Sequence, residues 1–457
     1  MAVLMPSRRR SLTGWGLTNG TVADVLELPN HEVASALKEA GSRGALVRGL
    51  GRSYGDAAQN AGGLVLRLLG AAHQAVLDPQ RATVTVPAGV SMDDLLRVIV
   101  PRGFFVPVTP GTRFVTIGGA IASDIHGKNH HGEGSFGNHV ESLTMLLADG
   151  SQVVVGPQQR PELFWATVGG MGLTGVILDA TISLIPIETS RMSVDTTRIA
   201  DLDTLLATMT EGDDDYRYSV AWIDPQAKGR SLGRSVLGRG DHARLDQLGP
   251  KEAIEPLAYD AKQLVTVPPL VPPMGFINHA TVAAFNEMWY RKAPRHRVGE
   301  LQGIATFFHP LDMVSRWNRI YGAHGMLQYQ VVVPFGAEET MRTVIERFAA
   351  SGTASFLAVL KRFGPGSLAP MSFPAPGWTL TLDVPAATGG LGDLLHSLDR
   401  LVLDAGGRHY FAKDSVTTPE AIRRGYPRLA EWKAIRDAVD PTGLWQSDLS
   451  RRLGLTD

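Results

Sequence analysis

The apolar positions of this chain change their spacing several times, and each change predicts an element. Between residues 31 and 41 they fall at Val33, Ala34, Leu37 and Ala40, a helical face ended by Gly41. Ala45 to Val47 reads as a short strand. Gly63 to Arg67, His73 to Leu77 and Ala82 to Val86 follow as strands, the last through alternation of Thr83 and Thr85 with Val84 and Val86. Asp93 to Val100 is predicted helical, up to Pro101 and Gly103. Glu141 to Val155 predicts a hairpin around an Asp149-Gly150 turn, Pro161 to Thr167 a short helix, and Val176 to Pro186 an alternating strand.

From about residue 188 the texture becomes mixed. Tyr218 to Asp224, Gln328 to Val333 and Trp378 to Val384 alternate as strands, while Leu202 to Met209, Glu338 to Ser351 and Leu391 to Ala405 carry helical spacing. Strands separated by helices, with no glycine turn of the strand-to-helix kind, predict an α+β domain built on an antiparallel sheet. Val265 to Phe276 is apolar but crowded with prolines that bar regular structure, which predicts either a fixed surface loop or a mobile lid. Tyr426 to Trp445 predicts an amphipathic helix stopped by Pro441.

Composition narrows the picture. At 457 residues the chain exceeds one ordinary core, so two or three domains are expected. Basic and acidic residues nearly cancel, giving a net charge of −1 and no broad attraction to nucleic acid. The absence of cysteine excludes disulfides, thiolate metal sites and cysteine nucleophiles. No apolar run reaches the roughly 18 to 20 residues of a spanning helix. Ser7-Arg-Arg-Arg-Ser-Leu12 imitates a twin-arginine export signal, but Thr13-Gly-Trp-Gly follows where an apolar region belongs, so it reads as a mature N-terminus.

Candidate chemistry concentrates in glycine loops. Arg48-Gly-Leu-Gly-Arg-Ser-Tyr-Gly-Asp56 follows the first short strand; its glycines permit positive φ and close backbone approach, so N–H groups there can converge on an anion. A second loop, Pro107 to Gly127, contains Thr116-Ile-Gly-Gly-Ala-Ile-Ala122, predicted to start a helix with free N–H groups at Gly118 and Gly119. Two such loops suggest a diphosphate. Gly170-Met-Gly-Leu-Thr-Gly175 matches the dinucleotide fingerprint literally, with Asp195 about 20 residues on, but a strand follows it instead of a helix, which argues against that use. His126, Lys128, His130, His131 and Glu133 resemble a metal cluster; Gly127, Gly132 and Gly134 disfavour the helix that would gather them, so a loop lining a cofactor or substrate pocket is the preferred reading and no metal is assigned.

These motifs together resemble the vanillyl-alcohol-oxidase, or PCMH-type, FAD family, whose marks are the R-G-x-G-R-S-Y/H-G-D loop, the P-G-T-x-x-x-T-x-G-G-A-I-A loop followed by D-I-H-G, the G-G-x-G-L-T-G turn and a terminal D-P-x-G. Asp124 to His131, Glu162 to Gly170, His309 to Met313 and Leu327 to Gln330 are similar to a branch of it that oxidises the 2′-hydroxyl of a polyprenylphosphoryl-β-D-ribose to the 2′-keto sugar, the first half of a 2′-epimerisation toward an arabinan precursor. The resemblance implies an FAD-binding domain over 1–188, a substrate domain over 189–407, and a C-terminal segment, 408–457, that rejoins the first. It puts Arg48, Gly49, Leu50, Gly51, Arg52, Ser53, Tyr54, Gly55, Asp56 and Ala57 against FAD, with Gly111, Thr116, Ile117, Gly118, Gly119, Ser123, Asp124, Ile125, His126, Ile177 and Tyr410. Tyr54 stands where many relatives carry the histidine that bonds flavin, which implies non-covalent FAD.

The substrate residues implied are Lys128, Trp222, Phe308, Gln328, Gln330, Lys361, Thr379, Thr381 and Lys413, with Lys413 or His126 handling the proton. Thr381, Thr379 and Phe308 replace a cysteine, an asparagine and a tyrosine of that branch, which leaves another sugar, an aldonolactone or a specialised-metabolite alcohol as the alternative substrate. A non-catalytic lipid-phosphate binder on the same scaffold is the reading from another class. The implied partners are a lipid-linked sugar phosphate, a separate NAD(P)H-dependent ketoreductase and a membrane surface touched peripherally, from the cytoplasm or a periplasmic face, with no nucleic acid.

Overall fold

The short strand Ala45–Val47 leads into the first glycine loop from the edge of a four-stranded sheet. In this computed structural model, which describes residues 8–456, that sheet runs in the order Arg8–Leu12, Thr21–Leu28, Leu64–Leu68, Ala45–Val47. The last three are parallel and the first is antiparallel. The twin-arginine imitation therefore lies in a paired strand from Arg8 onward, and its Ser7 lies outside the described residues.

A second, antiparallel sheet orders Val76–Asp78, Thr83–Pro87, Val176–Ser183, Val140–Leu146 and Gln152–Val155. The Asp149-Gly150 turn closes the hairpin as expected, with Gly150 at φ +83°. Between the fingerprint-like glycines and the next helix lies the strand Val176–Ser183, and Asp195 sits on another strand, accepting from the Tyr216 hydroxyl at 2.6 Å and the Gly299 N–H at 2.8 Å. The dinucleotide reading of that match fails on this context.

The third sheet is antiparallel and eight-stranded: His296–Gly303, Arg191–Ile199, Ser235–His242, Tyr218–Ile223, Ala358–Phe363, Gly377–Pro385, Met326–Pro334, Arg408–His409. Its pleat decides what each face does. Tyr329, Val331 and Val333, Leu380, Leu382 and Val384, Leu360 and Ala221 form one core with the helices Leu202–Gly212, Glu338–Ser351 and Leu391–Asp404. The intervening residues point the other way, toward the glycine loops. The α+β expectation with an antiparallel sheet holds.

Three local expectations change. The stretch 31–41 is a single α turn, Val33–Ala36, between 3₁₀ turns; it is too short to hold as an isolated helix and takes the shape that buries Val33, Ala36 and Leu37. Residues 73–77 open with a 3₁₀ turn closed by the Gln74 side chain on the Ala71 N–H before a strand at Val76–Asp78. The C-terminal helix spans only Leu429–Val439, since Pro427 keeps Tyr426 out of the helical region.

The C-terminal segment packs back on the first sheet. Trp445 is fully buried among Leu26, Leu64, Leu146 and Val176, and Ala45 exchanges backbone hydrogen bonds with Leu444 and Gln446. Arg452, on the helix Asp448–Arg452, donates to both oxygens of Asp56 at 2.8 Å and to Asp414 at 2.8 Å. Arg452→Ala leaves two buried carboxylates without their cation and is expected to destabilise the fold by about 3 kcal/mol, read as a lower thermal unfolding midpoint; Arg452→Lys is expected to recover only part of it because the forked geometry is lost.

Candidate functional site

The first glycine loop is held at both flanks and open in its middle. Trp15 and Gly16 donate to the Ser53 and Tyr54 carbonyls, and the Tyr54 N–H donates to Ala412 at 2.9 Å. A side chain at Gly55 would run into the Asp414 carbonyl, so this residue has to be glycine for the two segments to meet. Between these anchors, among the described residues, no acceptor reaches the N–H groups of Gly49, Leu50, Gly51, Arg52 and Ser53. Five successive unspent donors beside the buried Tyr54 and Ala57 fit the diphosphate of a bound FAD.

Two parts of the anion-cradle expectation are corrected. The Arg48 guanidinium is spent on the carbonyls of Ala58 at 2.7 Å and Thr13 at 2.6 Å, folding over Gly51 (φ +66°), so it braces the loop. Gly118 and Gly119 have no free N–H: the first donates to Ala88 at 2.9 Å and the second to the Thr116 hydroxyl at 3.1 Å, which caps the helix Ile117–Ala122. Pattern reading alone does not detect that Thr116 fills its own helix end. The helix instead fixes the second loop against the first, with Thr116 touching Gly49, while Gly111 borders open space.

Asp124 is also reassigned. It is fully buried at φ +38°, and its carboxylate accepts from Ser135 at 2.8 Å, Gly137 at 2.8 Å, Ser367 at 2.9 Å and Ser372 at 2.6 Å. Those four donors make it a knot between the second glycine loop and the loop 367–372, and take up the acceptor capacity of its carboxylate. Its neighbours take positions around it: Ile125 and Ile177 are buried, and the Ser123 carbonyl accepts from the Tyr410 hydroxyl at 2.8 Å. A second knot, unpredicted, joins Thr109 to His309 at 2.9 Å, and Thr112 and the Arg113 N–H to Asp312, each at 2.7 Å.

The register of the eight-stranded sheet gathers the predicted substrate residues. Gln330 lies opposite Thr381, which lies opposite Val359, which lies opposite Trp222. Lys361 lies opposite Thr379, and Gln328 opposite Asp383. All of these side chains share the face turned away from the helices. Gln328, Gln330, Thr379, Thr381 and Asp383 are nonetheless buried, and a buried polar face of this size marks a site.

His126 drops onto this face from the second loop. Its Nδ1 faces Lys361 Nζ at 3.1 Å and its Nε2 faces the Gln330 amide at 2.9 Å, while its ring packs on Phe363 and Tyr410. Burial, then the Lys361 charge, holds its pKa well below the usual range, so it is a neutral imidazole. Lys361 is held down to about 7 by burial and by the charges of Lys128 and Lys413, and Lys128 to about 7 by burial alone. Lys413, whose ammonium lies 4.2 Å from the centre of the Tyr54 ring, is lowered to about 8 by burial against an opposing pull from Asp383. Burial and Asp383 push the Tyr54 phenol upward.

Two predicted substrate residues stand differently. Phe308 is enclosed by Phe105, Tyr218, His242 and Phe307, in the aromatic core behind Lys128 and off the polar face. The Trp222 indole N–H is already donated to the Phe356 carbonyl at 3.0 Å, which leaves its ring for contact. The histidine-rich loop disperses: His131 meets the Tyr216 carbonyl at 2.9 Å, Glu133 pairs with Arg217 at 2.6 Å and His130 packs on Phe363. Among the described residues no three His, Cys, Asp or Glu side chains gather at metal-ligand spacing.

Comparison with known proteins agrees with this geometry. An FAD binding domain family model matches residues 29–156, and a D-arabinono-1,4-lactone oxidase model matches residues 391–453. A decaprenylphosphoryl-β-D-ribose oxidase of Mycolicibacterium smegmatis is 48% identical, with 98% of each chain covered. An alditol oxidase of Streptomyces sp. is 25% identical over 97% of this chain and 99% of its own. A D-arabinono-1,4-lactone oxidase of Yarrowia lipolytica is 22% identical over 80% of each. With its open donor loop and the FAD binding match, the chain is an FAD-dependent oxidoreductase. Within that class it belongs to the family of the decaprenylphosphoryl-β-D-ribose oxidase.

The residue at the apex of the flavin loop is a tyrosine buried under Lys413, with no nucleophilic imidazole in its place. Acid precipitation of the purified holoenzyme is therefore expected to leave the yellow chromophore in the supernatant; flavin fluorescence that stays with the protein band in a denaturing gel would contradict it.

Proposed function

We propose that this enzyme oxidises the 2′-hydroxyl of a polyprenylphosphoryl-β-D-ribose to the 2′-keto sugar, the first half of a 2′-epimerisation that supplies an arabinose donor for cell-wall arabinan. The observation that carries the reading is the buried polar sheet face with three part-buried lysines around one neutral histidine. Such a site is short of negative charge, and a phosphorylated sugar provides it. Residues 1–188 with 408–457 hold the cofactor in this reading, and 189–407 the sugar.

FAD, when bound along the Gly49–Ser53 donors, supplies the hydride acceptor. The chain's own residues do the rest. Gln328 and Gln330 orient the ring hydroxyls, and Thr379 steadies Gln330, which donates to it at 3.3 Å. Lys361, braced by His126, and Lys128, held at the Phe307 carbonyl, receive the phosphate. Lys413 accepts the hydroxyl proton as the C2′–H bond breaks; His126 is the weaker choice, because both its ring nitrogens are engaged. A separate NAD(P)H-dependent ketoreductase then returns hydride to the opposite face of the keto sugar.

Anaerobic bleaching of the flavin tests the substrate. Polyprenylphosphoryl ribose is expected to bleach it; bleaching by a soluble alditol or aldonolactone alone would favour the second reading, which the lactone-oxidase match and the Thr379 and Thr381 replacements motivate. Lys413→Met is expected to keep flavin and slow bleaching by about 10² to 10⁴. Because only the neutral amine accepts a proton, the wild-type rate should rise as pH passes upward through about 8. A rate that falls over that range would remove Lys413 from the role.

A polyprenyl chain has to be drawn from a bilayer, so we propose peripheral membrane contact. Among the described residues no helix is long and apolar enough to cross one. The proline-rich stretch exposes Val265, Leu270, Met274 and Phe276, with Leu270 91% exposed. It is tethered, not free: Val265–Thr266 pairs with Val314–Ser315, and Gly275 and Phe276 contact residues 320–322. Deleting 268–274 is expected to impair turnover of a long-chain substrate more than that of a short-chain analogue; equal loss would argue against the contact.

A further inference from the structure

One charged group on the polar face has no part in the scheme above. Asp383, on the strand Gly377–Pro385, is fully buried opposite Gln328. The Gln328 amide donates to its Oδ1, and Oδ2 has no partner among the described residues. An inward carboxylate with an unsatisfied oxygen is costly to keep, and nothing in the packing of the strand calls for it: Thr379 and Thr381 fill the equivalent places with hydroxyls.

Its surroundings suggest the use. From the first glycine loop Tyr54 faces it and from the turn Trp317–Tyr321 comes Tyr321; the phenol pKa of each is raised by burial first and by the Asp383 charge next. From the C-terminal segment Lys413 reaches over the Tyr54 ring, and it is the cation whose charge bears on Asp383. From the remaining elements the charged or titratable groups that feel Lys413 are Lys361 on its strand and His126 on the second loop. Asp383 is thus the acidic member of an otherwise basic cluster.

We propose that Asp383 is the positioning residue for proton transfer: held by Gln328, its carboxylate stabilises the Lys413 ammonium that forms when the substrate hydroxyl gives up its proton. In the step, the O–H bond breaks and an N–H bond forms on Lys413, while the hydride leaves C2′ for the bound acceptor. Asp383 bonds to nothing new; burial raises its own pKa to about 7, against the Gln328 hydrogen bond and the Lys413 charge, so it serves as the carboxylate at pH values above that. Its effect is to make a buried amine basic enough to take the proton, against the burial that weakens it.

The inference rests on Lys413 as proton acceptor, and the test separates the two. Anaerobic flavin reduction by a short-chain polyprenylphosphoryl ribose is followed against pH in the wild type, Asp383→Asn, Asp383→Glu and Lys413→Met. In Asp383→Asn the acid limb is expected to move to lower pH by about one unit, with a lower plateau, because the amine has become a weaker base. Asp383→Glu is expected to return the limb to the wild-type position. An Asn variant with flavin bound and an unmoved limb, while Lys413→Met abolishes the limb, overturns the role of Asp383 alone. A limb that survives in Lys413→Met overturns the role of Lys413 as well. Should the Asn variant fail to fold, Asp383→Thr, which places there the side chain the same strand already carries at Thr379 and Thr381, is followed in its place: a limb lowered by about one unit supports the proposal, and an unmoved limb overturns it.

Discussion

The guanidinium of Arg452 joins two stretches that have to meet for there to be a site. Its Nε and Nη2 fork onto Asp56, the end of the open donor loop, and the same Nη2 also holds Asp414, the neighbour of Lys413. The two stretches touch directly as well, through the Tyr54 N–H on Ala412 and the glycine contact of Gly55 with Asp414. Cofactor loop and lysine are therefore one mechanical unit, set by an ion pair that excludes water from two carboxylates. The position of Lys413 over Tyr54 follows from this clamp, and so does the electrostatic environment of the polar face.

That environment works by frustration. Three lysines and a histidine are crowded where solvent does not reach freely; burial weakens the tendency of all four to carry charge, and neighbouring cations weaken it further at His126 and Lys361. Lys128 answers with a backbone bond to Phe307 at 2.5 Å and a contact with the Phe307 ring, and Lys361 with one to His126. A phosphate entering such a cluster relieves the repulsion and restores charge to the amines, so affinity for an anion and the proton state of the site are linked. Lys413 differs from its fellows in having an acidic neighbour, Asp383, whose charge opposes the effect of burial.

Much of this was legible from residue patterns, for physical reasons that also explain the gaps. Gln328 and Gln330, and Thr379 and Thr381, sit at period-two spacing in strands whose other face is apolar, so pleating alone turns them together. The strand His296–Gly303 was missed because it is an edge strand largely open to solvent, with no buried face to leave a pattern, and Ser235–His242 because two glycines interrupt its alternation. Asp383 looked like any polar strand residue; its burial is a property of what covers the sheet. Arg452 and Asp56 are 396 residues apart, and no local signal announces such a pair. Of the two loops expected to offer free N–H groups only the first does, because in the second the threonine one position before the helix takes the Gly119 N–H and the Ala88 carbonyl takes that of Gly118.

The geometry also sorts the three replacements that set this chain apart from the branch it resembles. Phe308 lies in the aromatic core behind Lys128, packed on Phe105 and Tyr218 and off the polar face. Thr379 is fully buried, and its hydroxyl gives its proton to the Val331 carbonyl at 2.9 Å while accepting from Gln330. A change at this position therefore reaches the substrate only through the angle of the Gln330 amide. Thr381 is the one replacement that presents its side chain on the face itself, directly across from Gln330 and level with the Trp222 ring. A small β-branched hydroxyl there can both donate and accept a hydrogen bond and carries no thiol chemistry, so of the three replacements it is the one that alters the chemistry of the polar face itself.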